Sequence, residues 1–154
     1  MIALKKILFP TDFSENSKAA HDYALAFTEQ FEAELHVMHV LSDVTMIAEP
    51  GSALSLPQNY LLDMKQEAER ALDRLFPDAA QKGRKVVRAF RTGSPYVEIV
   101  TYASENDIDL IILGTHGRGA IAHMLLGSIA EKVVRKAPCP VLTVRPAGHQ
   151  FIVP

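Results

Sequence analysis

Asp109-Leu110-Ile111-Ile112-Leu113-Gly114-Thr115-His116-Gly117-Arg118-Gly119 runs on into Ala120-Ile121-Ala122-His123-Met124-Leu125-Leu126-Gly127-Ser128, and the reading of this stretch decides the fold. Residues 109–113 are almost wholly aliphatic and read as a buried strand, central in its sheet and covered on both faces. Residues 129–137 read as a helix that Pro138 ends. Ser128, with Glu131 three places on, has the S-x-x-E spacing of a capping box. A glycine-rich loop between a strand and a helix is where α/β folds bind phosphate, because unsatisfied N–H groups and the positive end of the helix dipole meet there. Glycines let backbone amides approach an anion with no Cβ in the way. Two readings stand at this point: a phosphate cradle, or a turn made by Gly114 and Gly117 before a helix that Ser128 caps.

Two better-known loops are excluded. Gly114 and Gly119 have the spacing of a G-x-x-x-x-G loop, but Ala120-Ile121 stands where a P-loop needs Lys-Ser or Lys-Thr. The order is G-x-x-G-x-G, not the G-x-G-x-x-G of a dinucleotide fold.

Working outward, residues 4–9 read as a first strand that stops at Pro10-Thr11-Asp12, since proline cannot donate to a ladder. Ser14 is the expected N-cap of a helix to about Phe31, with Ala20, Tyr23, Ala24, Phe27 and Phe31 on one face. Residues 34–41 form the second expected strand. Its His36 and His39 suggest a metal pair, but three residues apart on a strand they point to opposite faces. Residues 42–56 show no clear periodicity, and Pro50-Gly51-Ser52 marks a turn. A connection of this length is either a lid over something or a variable surface excursion. Residues 57–76 read as a helix with a core stripe of Leu61, Met64, Ala68, Leu72 and Leu75. Residues 84–91 form a third strand whose mixed pattern suits a sheet edge. Ser94 then caps a helix with Pro95 at its first position. Residues 140–145, opened by Pro140 and closed by Arg145, form the fifth strand.

Strands alternating with helices imply a parallel sheet with helices on both faces, a doubly wound α/β fold of five strands. At 154 residues the chain is expected to be one domain, 1–154, with a core over about 3–146 and a short tail at 147–154. Hydrophobic residues make up 48% and charged residues 22%, ordinary for a soluble globular protein. A net charge of −2 gives no reason to expect nucleic acid as a partner. The single cysteine, Cys139, allows no intrachain disulfide and reads as a small buried hydrophobe. The start lacks the apolar run of a signal peptide and no stretch approaches a membrane span, so a cytoplasmic location and no membrane contact are expected.

The spacing Gly114-x2-Gly117-x9-Gly127-Ser128 resembles the ATP-binding motif of universal stress proteins. The start, Lys6-Ile7-Leu8-Phe9-Pro10-Thr11-Asp12, and the end, Ala137-Pro138-Cys139-Pro140-Val141-Leu142-Thr143-Val144, resemble the same family, over roughly residues 3–146. The resemblance implies an adenine-nucleotide α-hydrolase-like sheet of order 3-2-1-4-5. The winding then reverses between strands one and four, and open α/β sheets bind ligands beyond the carboxyl ends of the strands at such a reversal. Those ends carry Pro10-Thr11-Asp12 and Gly114-Thr115-His116-Gly117.

Expected roles follow. Gly114, Gly117, Gly127 and Ser128 would hold phosphates, and Arg118 would add positive charge or stand solvated in the loop. Asp12 would take a ribose hydroxyl or help hold Mg²⁺ that arrives with the nucleotide. Val40 would pack on the adenine. The resemblance also implies that Pro10, Thr11, Asp12, Val40 and Ile129 line the pocket. Its ligand would be ATP, or AMP or ADP. Family members typically pair as homodimers through the last strand, and residues 140–145 suit this because an exposed edge strand seeks a partner. The leading expectation is therefore an ATP- or adenine-nucleotide-binding stress-response regulator, a homodimeric nucleotide-dependent switch with unidentified protein partners. The alternatives are an enzyme that uses ATP, as a slow ATPase or nucleotidyl transferase, and an interaction module that has lost its nucleotide. His116 and His123 invite an acid–base reading, but no second group at a telling spacing supports it, so no catalytic residue is assigned.

Overall fold

A computed structural model describes residues 2–42, 59–77, 83–115 and 126–146. Strand and helix alternate: β1 (Lys6–Pro10), α1 (Glu15–Phe31), β2 (Glu34–Leu41), α2 (Tyr60–Leu75), β3 (Val86–Thr92), α3 (Pro95–Glu105), β4 (Leu110–Gly114), α4 (Ser128–Lys136) and β5 (Val141–Val144). The strands form one parallel sheet in the order β3-β2-β1-β4-β5, as expected. Its edges are β3 and β5. Two helices cover each face. Ile7, Phe9, Leu35, Val37 and Ile112 pack under α1 and α2, with Ala20, Ala24, Leu72 and Phe76 above them. Leu8, Met38, Ile111 and Leu113 face the other way, against Ile99 and Tyr102 of α3 and Ala130 and Val133 of α4. Residues 43–58, 78–82, 116–125 and 147–154 lie outside the described residues, and with them the expectations for Gly117, Arg118, His116, His123, most of the long connection and the tail.

Local chemistry accounts for the elements, and four expectations are not met. Ser14 caps α1, its side chain accepting the Ser17 N–H, and the helix ends at Glu32 in the left-handed region at φ 52°. The buried face of α1 is Ser17, Ala20, Ala24 and Thr28. Tyr23 and Phe31 do not belong to it; they are 51% and 37% exposed. Small residues on the inner face let α1 approach the sheet closely, and the larger rings are turned outward. In α2, Ala68 and Leu72 are buried, but Leu61, expected in the stripe, is exposed at the helix start. The third departure is at α4. Ser128 does not form a capping box: it is the first helical residue, and Gly127 stands in the cap position with extended backbone and no side-chain cap bond. The Gly127 carbonyl accepts the Glu131 N–H at 2.9 Å, so the helix begins one residue earlier than the S-x-x-E spacing requires. Ser94 likewise occupies the cap position of α3 without a side-chain cap bond, and Pro95 follows it.

The hydrogen-bond parity of β1 explains how the sheet opens. The Thr11 N–H donates to Met38 of β2 at 2.8 Å, so odd-numbered residues of β1 face β2. The Asp109 N–H donates to the Lys6 carbonyl at 2.9 Å, so even-numbered residues face β4. Pro10 is even-numbered and has no N–H to give. Pairing of β1 with β4 ends at Leu8↔Ile111, whereas pairing with β2 continues to Pro10↔Met38. The two central strands therefore part at their carboxyl ends, where the winding reverses.

Candidate functional site

Two turns flank this opening. The first is Thr11-Asp12-Phe13-Ser14 between β1 and α1. Thr11 is buried; its Oγ1 lies 3.0 Å from Ser17 Oγ and accepts the Phe13 N–H at 3.0 Å. Asp12 Oδ1 accepts the Ser14 N–H at 3.0 Å and the Ser14 hydroxyl at 2.6 Å. Phe13 between them has φ 62°, the left-handed region that large side chains rarely adopt. The turn thus holds strained backbone, secured by hydrogen bonds on both sides of it.

The second turn joins β4 to α4. The Thr115 N–H donates to Val144 of β5 at 2.9 Å, and the Thr115 carbonyl accepts the Gly127 N–H at 2.7 Å. The chain that leaves the sheet at Thr115 is thus tied, at the neck of the glycine loop, to the residue that re-enters at α4. This changes how the expected glycines divide their work. The Gly127 amide is engaged at the neck. Amides for an anion from this side would come from Ser128, Ile129 and Ala130 in the first turn of α4, which the helix itself does not satisfy. Ser128 and Ile129 are both exposed there. Gly114 has its own reason to be glycine. A Cβ placed on it would lie 2.6 Å from the Asn16 carbonyl oxygen, the first turn of α1.

Val40, half-buried at the end of β2, packs toward α3 and α4. Pro10, Thr11, Asp12 and Val40 come from adjacent strand ends, and Gly114, Thr115, Gly127, Ser128 and Ile129 bound the opening from the β4 side. The carboxyl ends of β2, β1 and β4 thus carry, side by side in the sheet order, an apolar residue, a carboxylate and the approach to a helix N-terminus.

Of the residues that bear on the site, sequence reasoning missed Ser17 and His39. Ser17 meets Thr11, and His39 Nδ1 lies 2.8 Å from the Thr11 carbonyl oxygen. The signal for Ser17 was its place on the inner face of α1. A second concavity of about 200 Å³ lies on the α1–α2 side of β1, floored by Phe9 and walled by Phe13, His21 and Leu75.

His36 and His39 part to opposite faces of β2. His36 is buried against Tyr102 of α3, with Nδ1 2.8 Å from the phenol oxygen, while His39 stacks on Phe13. Burial pushes the His36 imidazole below the usual histidine range, against the Glu34 carboxylate 3.0 Å from Nε2. A hydrogen bond from Lys85 holds the Glu34 carboxyl below its ordinary value. Above about pH 6.5, His36 is neutral folded or unfolded and its contribution is intact. Below that value the unfolded chain takes up a proton that the folded chain resists, so stability falls until the folded group also titrates. The urea midpoint should therefore drop between about pH 7.5 and about pH 5.5, and drop less in His36→Phe; equal drops would contradict this. Cys139 is half-buried, and burial followed by the nearby Asp109 carboxylate pushes its thiol up. It stays protonated at neutral pH, as a small hydrophobe would.

The five-stranded parallel sheet of order β3-β2-β1-β4-β5, with helices on both faces, defines a doubly wound α/β protein. The chain belongs to the universal stress protein family, whose family model matches residues 3–145. Universal stress protein MJ0531 of Methanocaldococcus jannaschii is 35% identical over 141 residues, 92% of this chain and 82% of that protein. The structure of universal stress protein UspA from Lactobacillus plantarum superposes with a TM-score of 0.82 at 28% identity, covering 94% of this chain and all of the other. A universal stress protein solved in complex with cAMP matches with a TM-score of 0.70 at 25% identity, covering 95% of this chain and 100% of its own.

Proposed function

We propose that this protein binds an adenine nucleotide, ATP or its AMP or ADP relatives, in the crevice between β1 and β4, and acts as a homodimeric nucleotide-dependent regulator in the cytoplasm. What supports the reading most is the strand order, in which β1, leading to Asp12, lies between β2, which ends near Val40, and β4, which leads to α4. The cAMP complex of a relative supports adenine and phosphate as the ligand chemistry. In this reading Val40 and Pro10 pack on the base. Asp12 takes a ribose hydroxyl, or shares Mg²⁺ brought in by the phosphates. Ser128 and Ile129, with Gly117 and Arg118 of the loop, receive the phosphates, while Gly114, Thr115 and Gly127 shape the neck that presents them.

Calorimetric titration of nucleotide-stripped protein with MgATP tests this. Saturable binding at micromolar levels, about −8 kcal/mol, is expected. Gly127→Val sets a branched Cβ beside the phosphate position and should weaken binding at least about tenfold, or about 1.4 kcal/mol. Unchanged affinity would sink the phosphate assignment.

Dimerisation is proposed through β5. The Pro140 and Val144 carbonyls bond to β4, so Val141 and Thr143 turn their N–H and C=O groups to the outer edge. Thr143→Pro removes an outward donor without touching the β4 ladder. Light scattering should then report a monomer; a persistent dimer would rule out this pairing.

A further inference from the structure

At Thr11 the β1–β2 ladder runs out. The last rung is the Thr11 N–H to the Met38 carbonyl at 2.8 Å. The Thr11 carbonyl, where a further rung would use a backbone amide of β2, accepts instead from a side chain: His39 Nδ1 at 2.8 Å. A carbonyl oxygen can only accept, so Nδ1 carries the proton. The same imidazole stacks on Phe13, with ring centroids 4.6 Å apart and planes 31° from parallel. Phe13 is the residue with φ 62°, and backbone in that region persists only where its surroundings over-determine it. His39 therefore grips the residues on both sides of Asp12, one by a hydrogen bond and one by its ring.

We infer that His39 is a positioning residue for the nucleotide crevice: it latches the strained turn between β1 and α1 and so sets where the Asp12 carboxylate stands. The inference rests on the nucleotide reading above and deepens it. Val40, the next residue, faces the other side of the sheet. One dipeptide of β2 thus serves the crevice twice, Val40 as apolar wall and His39 as the latch on the opposing turn.

His39→Phe keeps a ring against Phe13 and removes the donor. His39→Asn restores a donor near the Nδ1 position. Two readouts separate the latch from general stability. Without nucleotide, hydrogen exchange of the Ser14 amide, which Asp12 Oδ1 holds, should quicken about tenfold or more in His39→Phe, with Leu35 and Val37 unchanged. With nucleotide, MgATP affinity should fall about tenfold in His39→Phe and return to within about threefold of wild type in His39→Asn. In an Asp12→Ala background the same His39→Phe change should cost less than about twofold, because its effect runs through Asp12. An unchanged Ser14 amide overturns the latch by itself, and so does an equal loss of affinity with and without Asp12. If His39→Phe fails to fold, the comparison is made with His39→Asn, whose failure to hold the Ser14 amide or the affinity overturns the inference in the same way. Wild-type protein with no affinity for MgATP, but with a Ser14 amide that quickens in His39→Phe, overturns the nucleotide reading and the role of His39 in binding, leaving the grip on the turn as a purely structural feature.

Discussion

Gly114→Ala should lose about 3 kcal/mol of stability and melt roughly 6–12 °C lower than wild type. The effect is large because the obstruction is backbone. A Cβ at Gly114 would stand 2.6 Å from the Asn16 carbonyl oxygen, 3.1 Å from its carbon and 3.4 Å from Ser17 Cα. No side chain can swing aside to make room. Either the first turn of α1 lifts off the sheet or the end of β4 moves away from it. The first course strains the Thr11–Ser17 contact and the Ser14 cap; the second pulls on the Thr115 bond to Val144. Overpacking costs about 1–3 kcal/mol where side chains can yield, and the upper end applies here. Thermal unfolding followed by circular dichroism measures it. A melting temperature within about 2 °C of wild type would mean that this glycine serves only a ligand, not the close approach of helix and strand.

The second large effect is expected at Asp12. Asp12→Ala removes the acceptor for the Ser14 N–H and hydroxyl and so loosens the cap of α1, at about 1–2 kcal/mol. It also deletes the carboxylate assigned to the ribose or to Mg²⁺, and nucleotide affinity should fall about thirtyfold, on the order of 2 kcal/mol. Asp12→Asn separates the two losses. Its Oδ1 can still accept from Ser14, so stability should stay within about 0.5 kcal/mol of wild type while affinity falls nearly as far. Urea unfolding and calorimetry on the same pair of variants read both quantities. Full affinity in Asp12→Asn would contradict a role for the charge.

The division of labour around the crevice shows what could be read from residue order. The alternation of aliphatic runs with amphipathic segments was enough for the nine elements of the described residues, because period and turn chemistry are local; the strand order, and with it β5 as an edge, came from the family resemblance. Pro10 was legible as a strand end. That it ends pairing on the β4 side alone follows from hydrogen-bond parity, which needs the register. Ser128 was misread because S-x-x-E is a local pattern, whereas the start of α4 is set by the long-range bond between Gly127 and Thr115. Tyr23 and Phe31 were misplaced for a related reason: a stripe of large residues and a stripe of small ones share α1, and close packing against β4 selects the small one. Spacing put His39 on the face of β2 opposite His36 but gave no sign of what it meets. Its partner is a backbone carbonyl 28 positions away that becomes available only because β1 leaves the sheet.

The central claim is that the adenine nucleotide sits between β1 and β4. Amide resonances of isotopically labelled protein, followed through a titration with MgATP, test it most directly. Saturable shifts are expected at Asp12, Val40, Thr115, Ser128 and Ile129, with His21 and Leu75 in the α1–α2 concavity unmoved. Shifts concentrated at His21 and Leu75, or none at millimolar nucleotide, would contradict it.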